Sequence, residues 1–239
     1  MFFEFKGKKV YYEVTGDTGD WIVFLHGWGG SVKSFFGVVQ MFENNRCLNL
    51  DFPPFGMSEE MAEVWNLEDY ALMLKALVDF LEIKQMKIIA HSFGGRVAIL
   101  FSSLYNDKVD RLILVDSAGI KPKKNLMVAF KIIKFKFLKK IGINQKNKGS
   151  QDYKNLSDKM KKTFINIINR HLENECIEID CPTLIIFGEN DKATPVYMAK
   201  KLNALIKDSA IIIFKNAGHF AYLDNFYEFI EISKHFMDA

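Results

Sequence analysis

Six short apolar runs constrain the fold of this chain more than any other feature of its sequence. Each spans about five mostly hydrophobic residues, which is typical of a strand buried on both faces of a parallel sheet. Helical patterns lie between the runs, and the clearest covers residues 66–82, with acidic residues in its first turn. Strands that alternate with helices predict parallel pairing through right-handed crossovers. The predicted strands cover residues 21–25, 46–50, 86–90, 111–115, 183–187 and 210–214.

The two ends of this pattern predict further elements. Alternating apolar residues indicate an antiparallel hairpin of strands 2–6 and 10–14, with its turn at Gly7-Lys8. After residue 115 the alternation stops, and helical patterns follow over residues 126–141 and 156–172. Helices inserted there must lie over the carboxyl ends of the strands, where open α/β sheets form a crevice.

The predicted fold is therefore an α/β fold with a mostly parallel central sheet, flanked by helices and carrying an inserted helical cap. We expect residues 1–118 and 180–239 to form the core. Residues 119–179 are expected to form the cap.

Ser92 stands between the predicted strand 86–90 and a helical pattern that starts near Gly94. Small neighbours, here Ala90 and Gly94, suit a sharp turn that holds a hydroxyl clear of the sheet. The reported pattern for a nucleophile in such a turn is Gly-x-Ser-x-Gly, and Ala90 replaces the first glycine. The alternative is that Ser92 caps the following helix, since serine is a preferred N-cap residue.

Three other motifs accompany this serine. One precedes it, and the other two follow it and contain an acid and a base. They are His26-Gly27-Trp28-Gly29-Gly30, Gly188-Glu189-Asn190-Asp191 and Asn216-Ala217-Gly218-His219. The order Ser, Asp, His is that of α/β-hydrolases and differs from the two protease orders. Over nearly its whole length the chain resembles the α/β-hydrolase superfamily, in particular its small capped bacterial serine hydrolases.

The resemblance implies a role for each motif. Ser92 would be the nucleophile, Asp191 the acid and His219 the base, while the backbone N–H groups of Trp28 and Phe93 would form the oxyanion hole. An imidazole can take the serine proton and return it to the leaving group, and a carboxylate fixes the tautomer of that imidazole. This chemistry requires no cofactor and no metal.

The acid and the base have competitors within the sequence. Asp116 follows the predicted strand 111–115, where some members of the superfamily carry their acid, and Glu189 lies two residues before Asp191. The downstream Gly-x-x-Asp placement favours Asp191. Four other histidines compete with His219, and they lie either in helical patterns or in loops that they would support: His26, His91, His171 and His235.

The expected activity is hydrolysis of a small-to-medium carboxylic ester or thioester through an acyl-enzyme on Ser92. A serine at this position disfavours the dehalogenase and epoxide-hydrolase branches, which use an aspartate. Two alternatives remain open. One is carbon–carbon bond hydrolysis by the same triad, and the other is a ligand receptor that turns over slowly.

Charge is distributed unevenly along the chain. The net charge is +3, but residues 121–162 hold fourteen lysines against Asp152 and Asp158. This basic segment is interpreted as a solvated cap surface, with attraction of anionic substrates or contact with a membrane surface as alternatives. It holds no arginine and matches no recognisable nucleic-acid-binding module, so a nucleic-acid partner is not expected. A small ester or acyl substrate is the expected partner.

The length and composition of the chain allow one large α/β domain or a domain with an insertion. With 239 residues and 49% hydrophobic content, the chain is long enough for a sizeable core. Its N-terminus lacks the apolar stretch of a signal peptide, so a cytoplasmic location is expected. The three cysteines suggest neither a disulfide framework nor a metal site.

Overall fold

The computed structural model describes residues 1–123 and 156–239. Within them, eight strands form one sheet in the spatial order β1-β2-β4-β3-β5-β6-β7-β8. Neighbours from β4 to β8 are parallel, whereas β2 pairs with both β1 and β4 in the antiparallel sense. The strands are β1 (Phe2–Phe5), β2 (Lys8–Thr15), β3 (Trp21–Leu25), β4 (Arg46–Leu50), β5 (Met86–His91), β6 (Val109–Val115), β7 (Thr183–Gly188) and β8 (Ser209–Phe214).

Helices cover both faces of this sheet. Alternate residues along the central strands face opposite ways, so that Val23 and Leu25 belong to one apolar core while Ile22 and Phe24 belong to the other. The helices of the described residues are α1 (Phe36–Val39), α2 (Leu67–Phe80), α3 (Phe93–Leu104), α4 (Asp158–Asn169), α5 (Glu173–Ile177), α6 (Val196–Leu205), α7 (Ala221–Asp224) and α8 (Phe226–Asp238). Helices α2, α3 and α6 pack in the first core, and α1, α7 and α8 pack in the second.

The α/β-hydrolase fold and the mostly parallel sheet are confirmed, and all six apolar runs form strands. The helix predicted over residues 66–82 extends from Leu67 to Phe80, with Asn66 as its N-cap in a capping box with Asp69. The hairpin is also present, but the predicted turn at Gly7-Lys8 is wrong by one residue. Phe5 pairs with Lys8, so the turn residues are Lys6 and Gly7, both with positive φ, as a tight two-residue hairpin turn requires.

The predicted insertion is described in part. Its helix over residues 126–141 lies outside the described residues. Within residues 156–172 the chain forms α4, whose buried residues Met160, Thr163 and Ile167 lie on one face. The cap boundaries at 119 and 179 stay a prediction.

Two further properties concern the described part of the chain. Between residues 1 and 123 and from 156 onward, no helix has the length and apolar character needed to cross a membrane.

Cys47, Cys176 and Cys181 are buried free thiols, and burial raises the pKa of each, to about 11 or 12.

Helix α3 approaches the sheet closely where it begins. It contacts β3, β5 and β6, and its residues from Phe93 to Ser102 are buried. A Cβ atom on Gly94 would lie 2.1 Å from the carbonyl oxygen of Leu25 in β3. The glycine after Phe93 is therefore required for the backbone of α3 to rest on the neighbouring strand.

Replacing Gly94 with alanine should destabilise the fold because the backbone of Leu25 cannot yield as a flexible side chain would. We expect the free energy of unfolding to fall by about 1–3 kcal/mol, the usual cost of overpacking, and the thermal midpoint to fall with it. Gly37→Ala in α1 is the matched control, since its new Cβ would meet the ring of Phe226 at an ordinary 3.7 Å. Equal midpoints for the two variants would contradict this account.

Candidate active site

Ser92 occupies a strained turn between β5 and α3. Its φ is +51° and its ψ is −107°, a conformation that costs a non-glycine residue about 1–3 kcal/mol. Ser92 holds the N-cap position of α3, but its side chain makes no capping hydrogen bond. Its Oγ instead lies 3.0 Å from Nε2 of His219. The hydroxyl of Ser92 is therefore directed at the imidazole of His219 and does not cap helix α3.

His219 lies in the loop that connects β8 to α7. The backbone before it turns sharply at Asn216, whose φ is +61°, and Gly218 donates its N–H to the carboxylate of Asp224 at 2.7 Å. The imidazole is about three-quarters buried and bridges two side chains. Its Nε2 faces Ser92, and its Nδ1 lies 2.8 Å from Oδ2 of Asp191.

Asp191 follows β7 and is held by its own loop. Its Oδ1 accepts the backbone N–H groups of Ala193, at 2.7 Å, and Thr194, at 3.1 Å. The hydroxyl of Thr194 also donates to Oδ2. With His219, these groups supply four hydrogen bonds to a carboxylate whose side chain is fully buried. Such a buried charge is tolerated because it is paired and hydrogen-bonded.

The pKa values of the pair follow from these contacts. Burial alone would lower the pKa of His219, but the hydrogen bond and charge of Asp191 outweigh it and raise that pKa above its ordinary value. Burial would raise the pKa of Asp191, yet the hydrogen bonds from His219 and Thr194 hold it below its usual range. Asp191 is therefore ionised at neutral pH and orients the imidazole.

A cavity of about 380 Å³ opens beside Ser92. Its walls are the 27–30 loop after β3 together with Ser34, His91, Ser92, His219 and Phe220. Phe93 is the first residue of α3, so its N–H has no acceptor within the helix. Trp28 belongs to the cavity wall, and its indole packs against the rings of Phe55, Phe93 and, in α4, Phe164 at centroid distances of 4.9–5.3 Å.

The competing histidines serve the surrounding loops. His26 donates from Nδ1 to the carbonyl of Gly27 at 2.7 Å and accepts the N–H of Phe52 at Nε2, at 2.9 Å. His91 donates from Nε2 to the carbonyl of His219 at 2.7 Å. Burial lowers the pKa of His26 to about 4 and that of His91 to about 3, so both are neutral. His171 follows α4, and His235 lies within α8.

The competing acids also differ from Asp191 in their contacts. Asp116 is fully buried, and its carboxylate accepts the backbone N–H groups of Gly188 and Ala221. Glu189 is exposed and accepts the N–H of Asn216 at 3.3 Å. Of the three carboxylates, Asp191 is the one hydrogen-bonded to the ring of His219.

Thr194 is one contributor to this arrangement that the sequence does not predict, and His91, which was expected to support a loop, bonds to the loop of His219. The spacing of Asp191 and Thr194 is that of an aspartate whose side chain accepts backbone N–H groups two and three residues later, a local signal that could have identified Thr194. No local pattern reveals the bond from His91 to His219, because those residues are 128 positions apart.

Comparison with known proteins identifies the family. The model of the α/β-hydrolase-fold family matches residues 20–139 and 136–226. The chain belongs to the α/β-hydrolase family. It is therefore a hydrolase.

Individual relatives cover nearly the whole chain at low identity. A 2-hydroxy-6-oxononadienedioate/2-hydroxy-6-oxononatrienedioate hydrolase of Pseudomonas putida is 25% identical, over 89% of this chain and 86% of that protein. The α/β-hydrolase MGS-M2 from a Medee basin deep-sea metagenome superposes with a TM-score of 0.82 at 20% identity, covering 100% and 98% of the two chains. The enol-lactonase of Burkholderia xenovorans LB400 gives a TM-score of 0.80 at 18% identity, with both chains fully covered.

The raised pKa of His219 predicts the acid side of the pH profile. The imidazole must be neutral to accept a proton, so activity is present above its pKa and lost as the pH falls through it. Because that pKa is raised, we expect kcat/KM for hydrolysis to reach half its plateau above pH 6.5, the ordinary histidine value. An initial-rate series from pH 5 to 9 measures this, and a profile that is flat throughout would contradict a histidine base.

Replacing Asp191 with asparagine should remove the partner that orients His219. We expect kcat to fall by roughly 10³–10⁴, as in other triads that lose this carboxylate. The matched control is Asp180→Asn, which replaces an exposed aspartate three residues before β7 and should leave kcat unchanged. Comparable rates for Asp191→Asn and the unmodified protein would assign the role to another acid.

Proposed function

We propose that this protein is a serine hydrolase that cleaves a small-to-medium carboxylic ester or thioester through an acyl-enzyme on Ser92. The observation that carries the proposal is the continuous hydrogen-bonded path from Ser92 through His219 to Asp191, with distances of 3.0 and 2.8 Å. These distances lie within the range in which a base can take a proton from a nucleophile.

In the first half-reaction, Oγ of Ser92 attacks the acyl carbon while its proton moves to Nε2 of His219. The negative charge that forms on the acyl oxygen is stabilised by the backbone N–H groups of Trp28 and Phe93. The tetrahedral adduct then collapses, and the alcohol or thiol leaves with the proton from His219. In the second half-reaction, water gives a proton to His219 and attacks the acyl carbon. The adduct then releases the acid as its bond to Oγ breaks, and Oγ of Ser92 takes the proton back from His219.

The cavity supports an uncharged substrate of modest size. Its volume of about 380 Å³ falls at the lower end of the range for small-molecule sites. Among the described residues that line it, none is a lysine or an arginine. A carboxylate on the substrate would therefore lack a cationic partner in this part of the wall, which favours a neutral ester.

We also propose that residues 119–179 form a cap over this cavity. Three contacts of α4 support this: its Phe164 meets the indole of Trp28, and its Thr163 and Asn166 hydrogen-bond to the backbone of Trp65 at 3.0 and 3.3 Å. The insertion therefore reaches the loop that supplies one N–H of the proposed oxyanion hole. Its size and packing would limit the acyl or alcohol group that can enter.

Carbon–carbon bond hydrolysis is a second candidate. The similarity to the Pseudomonas putida hydrolase, a protein named for an oxo-dioate substrate, favours it. The same three side chains could serve such a reaction. The two candidates differ in what must be bound, since a dioate substrate carries two carboxylates and a simple ester need carry none.

Replacing Ser92 with alanine should abolish ester hydrolysis because it removes the hydroxyl that lies 3.0 Å from Nε2 of His219. We expect kcat to fall by a factor of at least 10⁴, with KM little changed. A fluorophosphonate probe should label the unmodified protein at Ser92 and leave Ser92→Ala unlabelled. Ser103→Ala, in the same helix region but hydrogen-bonded to Leu100, is the matched control and should retain both labelling and rate.

A substrate panel separates the two candidate functions. Neutral short-chain esters, matched thioesters and a vinylogous diketone acid should be tested with the same preparation. Turnover of the esters at least 100-fold faster than that of the diketone acid supports the proposal. The reverse order, with Ser92 still required, would assign carbon–carbon hydrolysis instead.

A further inference from the structure

Asp116 stands where the loops that carry the three reacting groups meet. It directly follows β6, which lies between β5, the strand before Ser92, and β7, the strand before Asp191. Its side chain is fully buried and its φ is +43°, a left-handed conformation that is uncommon among residues other than glycine. A buried charge in a strained backbone needs compensating contacts.

The carboxylate of Asp116 holds two of these loops at once. Its Oδ1 accepts the N–H of Gly188 at 2.8 Å, three residues before Asp191. Its Oδ2 accepts the N–H of Ala221 at 2.9 Å, two residues after His219. One planar group therefore fixes the distance between the start of the acid loop and the end of the base loop.

A third contact reaches the acid itself. The backbone carbonyl of Asp116 lies 3.0 Å from the hydroxyl of Thr194, and that hydroxyl also reaches Oδ2 of Asp191. Asp116 thus contacts the surroundings of Asp191 through both its side chain and its main chain. It has no hydrogen bond to the imidazole of His219 among the described contacts.

The chemistry of these contacts requires a carboxylate. Both partners of the side chain are backbone N–H donors, and an ionised carboxylate offers two acceptor oxygens with no donor. An asparagine would turn its NH₂ group toward one of the two N–H groups and lose that bond. Burial raises the pKa of Asp116 to about 6, while the N–H donors of Gly188 and Ala221 act against that rise.

Three titratable groups face this carboxylate. The charge of Asp191 raises the pKa of Asp116, and that of His219 lowers it. Asp116 in turn raises the pKa of His219 and of the buried Tyr222. The negative charge of Asp116 therefore favours the protonated imidazole, in addition to the effect of Asp191.

We propose that Asp116 is a positioning residue, which sets the separation of the acid and base loops through Gly188 and Ala221 and whose charge acts on His219. Its effect on rate rests on the proposed function. Its effects on the loops and on the imidazole do not depend on any substrate.

The test compares Asp116→Asn with Asp110→Asn, a control at the opposite end of β6 whose side chain is partly exposed. Two readouts are taken from each folded variant: the pKa of the His219 imidazole by NMR, and kcat and KM for the best ester found. For Asp116→Asn we expect the pKa of His219 to move down and kcat to fall roughly tenfold, the effect of one lost hydrogen bond, with KM unchanged. Asp110→Asn should match the unmodified protein in every value.

A merely structural role would lower the thermal midpoint of Asp116→Asn without moving the pKa of His219. An unmoved pKa in the folded variant therefore overturns the proposal, as does an unchanged kcat. The NMR titration of His219 needs no substrate. If Ser92→Ala showed that the proposed function is wrong, the pKa of His219 in Asp116→Asn would still test the role of Asp116.

If Asp116→Asn does not fold, the unmodified protein provides the measurement. The backbone amide protons of Gly188 and Ala221 share one carboxylate, so their chemical shifts should move together, with one common midpoint near pH 6. Amides that titrate with separate midpoints, or that do not titrate, would overturn the proposal.

Discussion

The strained turn at Ser92 is the constraint on which the rest of the site depends. A positive φ at a serine costs about 1–3 kcal/mol, so the turn persists only because its surroundings determine it. On one side β5 is buried between β3 and β6, and on the other α3 packs against β3, β5 and β6. Because strand and helix are both fixed, the hydroxyl projects from the sheet and the N–H of Phe93 remains available.

The parallel sheet explains how distant residues meet around that turn. Strands β3, β5, β6, β7 and β8 end at the same edge, so the loops that carry Trp28, Ser92, Asp116, Asp191 and His219 are neighbours in space. Hydrogen bonds then fix each loop. Backbone N–H groups hold Asp191, and the carbonyl of His219 accepts a bond from His91. The pairing of His219 with a buried carboxylate leaves its Nε2 directed at Ser92.

Much of this could be predicted from the sequence because the signals are local. Continuous apolar runs identify buried strands, and the short motifs around Ser92, Asp191 and His219 each follow one of them. The prediction of the hairpin turn is wrong by one residue because Lys6 adopts a positive φ, which the identity of a lysine does not indicate. The contacts of Asp116 could not be predicted from the sequence for a different reason. The residues that donate the two N–H groups lie 72 and 105 positions away along the chain. Only the folded sheet brings them together.

The proposed mechanism requires that hydrolysis proceeds through an acyl group bound to Ser92. Rapid quenching during turnover of a chromogenic ester, followed by intact-protein and peptide mass spectrometry, tests it most directly. We expect a transient mass increase of one acyl group, located on the peptide that contains Ser92 and lost as turnover ends. Protein that stays unmodified while product accumulates, even when a slowly deacylating ester is used, would contradict it.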